Sequence, residues 1–532
     1  MRCISLLILC FVGGLAGARA AEGDGPLLRC HFAGTDKLAT DTNSAALRHL
    51  WSIPESQSFR REVIRKLALT STGELTKYLA HSSVEESDSV FAALFDDVSK
   101  HESHLEVRAV AGKIETFCAI ALPDAGKTQW ENRLGQLFVG ADRGKKRSNP
   151  GEDKSRWEVA FPASPAVLRC ERAGRWLVLR WSAHGLTQKF DSVSRLGKDA
   201  GASGFRGNEW FDAEIDWPRL SKWVPVDSAF LKPARLQINV SSRAGDIRGV
   251  ARATYPTAFG WNSVRWSVPT NLIRDPLVGF TAARNISPFV NLPANLSQAG
   301  LNPFTNQVYA WSLSTAPFQS FILLRTPNPS NELRRLSKTL PATFNPVLAQ
   351  KQAGKLEWDP KRFAILWKGL SVLTPFLRAQ TDTNSGSYLS FGLFPEISST
   401  NPAPAELVGQ VVGRTNLVYY DWEITQARIG HWRVLSKMPF LAAPFNPPKG
   451  TNAENRLLLA TERWLSAIAP LLGNTITEAT VASNKELSAT RRSPIGFTAM
   501  ELVALARWVN SPWFPAIARQ PSGREEKTAV SR

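Results

Sequence analysis

Phe211-Asp212-Ala213-Glu214-Ile215-Asp216 runs into a segment ending Arg219-Leu220-Ser221-Lys222-Trp223. Further along, Tyr420-Asp421-Trp422-Glu423-Ile424-Thr425 runs into Arg428-Ile429-Gly430-His431-Trp432. Both stretches read aromatic-Asp-x-Glu-Ile, with Arg seven residues after the Asp and Trp eleven after it. In a strand, successive side chains alternate between faces. Asp212 and Glu214 are therefore expected on one face, with Phe211, Ala213 and Ile215 on the other, and the same is expected of Asp421 and Glu423. Asp216 and Thr425 end the two strands with side-chain oxygens able to cap the first turn of a following helix. Pro218 fits that first turn, where its missing N–H has no intrahelical partner. The pattern predicts a duplicated module.

The duplication extends upstream. Thr116 to Leu122 is an apolar strand-like run, and Pro123-Asp124 opens a helix with Trp130, Leu134 and Leu137 on one face. Ser320 to Leu324 and Pro329-Ser330, with Leu333, Leu336 and Leu340, repeat that arrangement. Strands follow at Trp157 to Phe161, Ala166 to Arg172 and Trp176 to Trp181, matched by Arg362 to Trp367, Leu373 to Arg378 and Ser387 to Phe394. A helix is expected next in each copy, Leu186 to Leu196 and Ala405 to Val412, and then the signature strand. The chain therefore reads as α+β: two tandem homologous modules with mainly antiparallel sheets, each in the β-α-β-β-α-β order of ferredoxin-like units. Hairpins are expected around Ala244-Gly245-Asp246 and between Thr475 and Ala489, and helices over 60–69, 90–98, 453–472 and 498–509. The boundaries follow: residues 1–20 a leader, 21–255 the first module, 256–515 the second with C-terminal helices, and 516–532 a loose polar tail.

The leader reads as an export signal. Met1-Arg2 is basic, Ile4 to Leu15 is apolar but too short to span a bilayer, and Ala18-Arg19-Ala20 is a small-x-small cleavage site before Ala21. No later stretch reaches membrane-spanning length. A periplasmic or extracellular address is expected. Loss of Arg2 and Arg19 lowers the formal charge from +18 to +16. That excess favours an anionic envelope polymer as partner, with another envelope protein as the alternative; no nucleic-acid motif is present. The densest basic knot, Asp142 to Arg147, reads as a solvated loop. Three cysteines lie beyond the leader, Cys30, Cys118 and Cys170, each in an apolar run. They read as buried thiols, with a single bridge as the alternative.

The carboxylate pairs Asp212/Glu214 and Asp421/Glu423 could bind a hard cation or divide acid and base roles. They could equally pair with Arg219 and Arg428, and this structural role is the preferred reading. His101-Glu102-Ser103-His104 lacks the i, i+4 histidine pair of a zincin helix and reads as an exposed polar junction. There is no G-x-S-x-G elbow, S-x-x-K, phosphate-cradling loop or G-x-G-x-x-G. No catalytic residue, resident metal or cofactor is assigned. Of eighteen tryptophans, most stand at core spacings, including Trp130, Trp157, Trp464 and Trp508. Trp261, Trp266 and Trp513 lie in irregular stretches and are the better candidates for stacking on carbohydrate.

Asn416 to Thr425, Arg492-Ser493-Pro494-Ile495-Gly496-Phe497-Thr498-Ala499 and the strand–helix stretch from Thr116 to Leu137 resemble a group of uncharacterised exported bacterial proteins with a duplicated α+β module. The resemblance implies no activity, ligand or site residue. The expected function is a non-catalytic binding or structural component of the cell envelope. The alternatives are an envelope hydrolase or glycan-active enzyme using carboxylates of one module, and a basic protein adhering to polyanions.

Overall fold

The computed structural model describes residues 25–75, 84–110, 113–143, 145–146, 156–160, 165–182, 184–186, 208–223, 233–260, 264–285, 307–314, 319–370, 373–394, 401–436, 452–511 and 514. The expected leader, the tail from 516, the expected helix Leu186 to Leu196 beyond its first residue, and Gly144 and Arg147 of the basic knot lie outside them; the rest of that knot, expected as a loop, ends a helix at Asp142-Arg143 and forms a short strand at Lys145-Lys146.

The first half begins with β1 (Gly25–Phe32), then α1 (Thr35–Thr40), α2 (Ala45–Ser52), α3 (Pro54–Leu75) and α4 (Val84–Lys100). Next come β2 (Ser103–Val110), β3 (Lys113–Ala121), α5 (Asp124–Arg143), β4 (Lys145–Lys146), β5 (Arg156–Ala160), β6 (Val167–Ala173) and β7 (Trp176–Ser182). It closes with the signature strand β8 (Glu209–Asp216), α6 (Trp217–Trp223) and the hairpin β9 (Arg235–Arg243) and β10 (Asp246–Thr254).

The second half runs β11 (Leu277–Arg284), β12 (Gln307–Leu313), β13 (Ser320–Arg325), α7 (Pro329–Gln350), β14 (Lys355–Asp359), β15 (Ala364–Lys368), β16 (Phe376–Asp382) and β17 (Gly386–Gly392). After α8 (Ala405–Gly409) come the second signature strand β18 (Leu417–Ile424), α9 (Thr425–Ser436), α10 (Asn452–Ile468), the hairpin β19 (Asn474–Ser483) and β20 (Glu486–Ser493), and α11 (Ala499–Asn510).

These strands form one mixed-helix, antiparallel sheet. Its neighbours run β4-β5-β6-β7-β3-β2-β1-β8-β9-β10-β20-β19-β18-β11-β12-β13-β17-β16-β15-β14. Read outward from the β10–β20 pair, the two sides present their strands in matching sequence. In each side β1 and β2 stand between β3 and the signature strand β8, as β11 and β12 stand between β13 and the signature strand β18. A plain ferredoxin-like order has no such interposed pair.

Many elements form where the sequence places them, although β11, β12 and β14 were not expected and α3 and α4 run well beyond the expected 60–69 and 90–98. Trp130, Leu134 and Leu137 of α5 are buried, packing with Leu94, Val98, Leu105, Ile120, Ala213 and Ile215. Leu333 and Leu336 of α7 are buried against Ile365 and Leu389. At the start of α11, Thr498 and Glu501 form a reciprocal capping box. Asp216 accepts from the Arg219 amide at 3.2 Å, as expected of a cap. Thr425 differs: its hydroxyl meets that of Thr475 at 2.7 Å. The cysteines Cys30, Cys118 and Cys170 are buried and unbridged.

A third core joins the halves. Leu50, Phe59 and Leu67 from α2 and α3 pack with Ile429, Leu457, Trp464, Leu465 and Leu502 from α9, α10 and α11. Phe59 stacks on Trp464 at 4.4 Å, and the Trp464 indole donates to Ser56 at 3.1 Å. No helix among the described residues is long and apolar enough to cross a membrane.

Candidate functional site

The two signature strands do not present their carboxylates to the same side of the sheet. Cross-strand neighbours share a face. The row through Asp212 passes Asn239, Val250, Thr490 and Glu478 and arrives at Tyr420. Asp421 therefore points to the opposite face. One residue of slip suffices for this, because strand side chains repeat every two positions. β19 carries a bulge at Ala482, between Val481 and Ser483. The expected equivalence of the two acid pairs is corrected accordingly: the motif repeats, its exposure does not.

In the second half the acid face lies under α9 and α11. Asp421 accepts from the Thr281 hydroxyl at 2.6 Å. Glu423, only 6 % exposed, accepts from the Ala499 amide at 2.7 Å, at the first residue of α11. An anionic oxygen there satisfies a helix N–H that has no intrahelical acceptor. Arg428 reaches over from α9, donating to Ser312 at 2.6 Å and lying 3.2 Å from His431 Nδ1. Gly279 makes room for it: a Cβ there would sit 3.3 Å from Arg428 Nε. Arg491, on the same face, donates to Thr477 and to Glu501. Burial raises the pKa of Asp421 and of Glu423, against the hydrogen bonds and nearby guanidinium groups that favour their charged forms. Burial lowers that of Arg428, and burial with the Arg428 charge brings His431 down to about 4. The face is an enclosed polar network that fastens two helices to a sheet.

In the first half the acid face is more open. The Asp212 side chain is 48 % exposed and lies 3.4 Å from His31 Nδ1. Glu214 pairs with Arg235 at 2.5 Å across to β9. Arg219 contacts Asp216, at 3.5 Å, within its own helix turn.

His31 is buried and joins Asp212 to Glu102, whose Oε1 is 2.8 Å from His31 Nε2. Arg175 holds the other Glu102 oxygen at 2.6 Å and lies over the Trp176 ring. His104 stacks on His31, with centroids 3.6 Å apart, and meets Trp176 edge-on. Burial disfavours the charged form of His31, but the hydrogen bonds and charges of Asp212 and Glu102 outweigh it and raise its pKa. Burial raises the pKa of Glu102, and the His31 bond and Arg175 overcome that to lower it. Burial, then the charge of His31, push His104 down to about 3.

Local backbone geometry assembles this cluster. The β1–β2 register sets His31 directly opposite His104, and the β1–β8 register sets it opposite Asp212. Gly34, at φ 87°, lies so close to the Lys100 carbonyl that a Cβ would sit 2.2 Å from its oxygen. That approach brings the α4–β2 junction against the end of β1. The segment expected as an exposed junction is thus half-enclosed, and His31, seventy residues upstream of it, completes the group. Sequence spacing gave no signal for that partnership.

Trp266 corrects another expectation. It is 8 % exposed, its indole donates to the Arg414 carbonyl, and Arg284 lies over its ring, so it is a core residue rather than a stacking platform. Trp261 and Trp513 lie outside the described residues.

No family model matches the chain, and no curated relative matches it. Solved structures of TP0453 are weakly similar. Crystal form IV has 11 % identity and a TM-score of 0.22, covering 46 % of this chain and 83 % of that one. Crystal form I has 12 % identity and a TM-score of 0.21, covering 47 % and 79 %. At such scores the likeness carries neither fold nor function.

Proposed function

We propose that this chain is an exported, non-catalytic binding or structural component of the cell envelope, built by duplication of one α+β module with boundaries near residues 21–255 and 256–515. The matching strand order on either side of the β10–β20 pair supports the duplication. So does the place of α5 and of α7, each directly after the third strand of its half. Within each half β6-β7-β3, or β16-β17-β13, keep the adjacency that the second, third and first strands of a ferredoxin-like unit would have. The observation that carries the passive reading is the fate of Glu423. The best-placed carboxylate of the repeated motif is bonded to the first amide of α11 and enclosed by the fold. A repeated motif used as a fastening in one copy is a scaffold motif. The +16 charge favours an anionic envelope polymer as partner.

The test has two arms. The full chain and a chain lacking residues 1–20 are expressed in a bacterium, fractionated and sequenced from the N-terminus. Ala21 at the start of a product outside the cytoplasm is expected; a cytoplasmic product retaining the leader overturns the export reading. The purified protein is then sedimented with isolated cell-wall polymer over a salt series. Retention that weakens with salt supports binding through charge. Release of soluble fragments from the polymer supports the glycan-active alternative instead, and absence of any retention leaves another envelope protein as the partner.

A further inference from the structure

His31, Glu102 and His104 come from the end of β1, the α4–β2 junction and β2, and their donor atoms lie within 4.8 Å of one another. We propose that these three side chains bind a divalent transition-metal ion of the zinc type, with Asp212 orienting His31 from the far side of its ring. Two imidazole nitrogens and one carboxylate oxygen form a donor set that zinc accepts with a fourth position open. Ligands around one such ion stand about 3.3–3.6 Å apart, from bond lengths near 2.0–2.2 Å; the two imidazoles, stacked here at 15° from parallel, must turn out of that stack for their in-plane lone pairs to meet at one ion.

The surroundings match what such a site needs. A metal-bound histidine commonly gives its second ring nitrogen to a carboxylate, which fixes the tautomer. Asp212, 3.4 Å from His31 Nδ1, stands where that carboxylate belongs and leaves Nε2 facing Glu102. Arg175 occupies the second oxygen of Glu102 and leaves Oε1 turned toward the histidines. His104 is held between the His31 ring and Trp176. Two carboxylates against one guanidinium give the pocket a net negative charge when the imidazoles are neutral, which favours a cation.

Among the described residues the second half has nothing comparable. The cross-strand neighbours of Asp421 toward β12 are Thr281 and Ala310. Those of Tyr420, which shares the row of Asp212, are Ala282 and Tyr309. Scaffold residues recur in the two halves; among the described residues this donor set is particular to the first.

The test uses the full chain, stripped with a chelator, dialysed, and titrated with zinc alone by calorimetry and with cobalt(II) by visible absorption. One zinc per chain is expected, with cobalt bands typical of four- or five-fold nitrogen and oxygen ligation. Glu102→Gln and His104→Ala should each weaken zinc binding about 10- to 100-fold, and Asp212→Asn about 10-fold, with unchanged circular dichroism. Glu102 and His104 are not in the apolar core, so those variants decide the matter even if His31→Ala fails to fold. Absence of saturable one-to-one binding overturns the proposal. So does binding of equal strength in Glu102→Gln, His104→Ala and the unaltered chain.

Discussion

Asp421 and Glu423 show how one motif acquires a role from its burial. Their pKa values are raised in the folded state, with burial as the leading cause. The folded chain therefore holds protons that the unfolded chain would release. The resulting stability is fully present below the unfolded carboxylate range and is lost as pH rises through the folded values. Asp421→Asn removes part of that dependence. Its melting temperature should change less between pH 4 and pH 8 than that of the unaltered chain and should equal or exceed it at the upper end, as differential scanning calorimetry would show. Glu423→Ala should behave otherwise. It strips the acceptor from the Ala499 amide, and a buried unpaired N–H costs about 1–3 kcal/mol. Urea unfolding would measure that loss, and an unchanged midpoint would mean that the contact contributes nothing.

At the scale of elements, a helix and the strand beneath it are fastened by matched polar ends. Thr498 caps α11, Glu501 returns the bond, and Arg491 of β20 then takes the Glu501 carboxylate at 2.6 Å. Thr498→Ala should cost about 1 kcal/mol, read as a lower urea midpoint with an unchanged slope. Glu501→Ala should cost more, because it also releases Arg491. The helix beginning at Thr498 was legible in the sequence, since the apolar spacing that marks it is local. Both hairpins and the long helices were legible for the same reason. The opposite facing of the two acid pairs was not, because it depends on an unpaired residue in β19, a strand more than fifty residues from the motif, and no periodicity within β18 reports it. Nor could spacing reveal His31 beside Glu102, a contact made by strand register and the tight approach at Gly34.

At the scale of the whole molecule, the two halves share both a sheet and a core. β10 pairs with β20 along eight residues, from Ile247 with Ser493 to Thr254 with Glu486. Phe59 of the first half also stacks on Trp464 of the second. Phe59→Ala should therefore cost about 3–5 kcal/mol and lower the stability of both halves together. A single calorimetric transition, shifted as a unit, is the expected result. Two separated transitions, only one of them moved by Phe59→Ala, would show that the shared core does not couple the halves.

Although it did not give β11, β12 or β14, nor the full length of α3 and α4, the amino-acid sequence by itself determined many of the elements: where most strands alternate, which segments are helical, which aromatic and aliphatic residues form stripes, and that one pattern occurs twice. Each of those depends on neighbours a few positions away, through backbone geometry and side-chain period. Only the tertiary structure decided what the repeated carboxylates face, that Trp266 is interior, and that His31, Glu102, His104 and Asp212 meet. Those outcomes are set by strand register, by a single bulge residue and by helices laid over one face, and registry between distant strands is fixed by the packing of the whole sheet rather than by any segment of it.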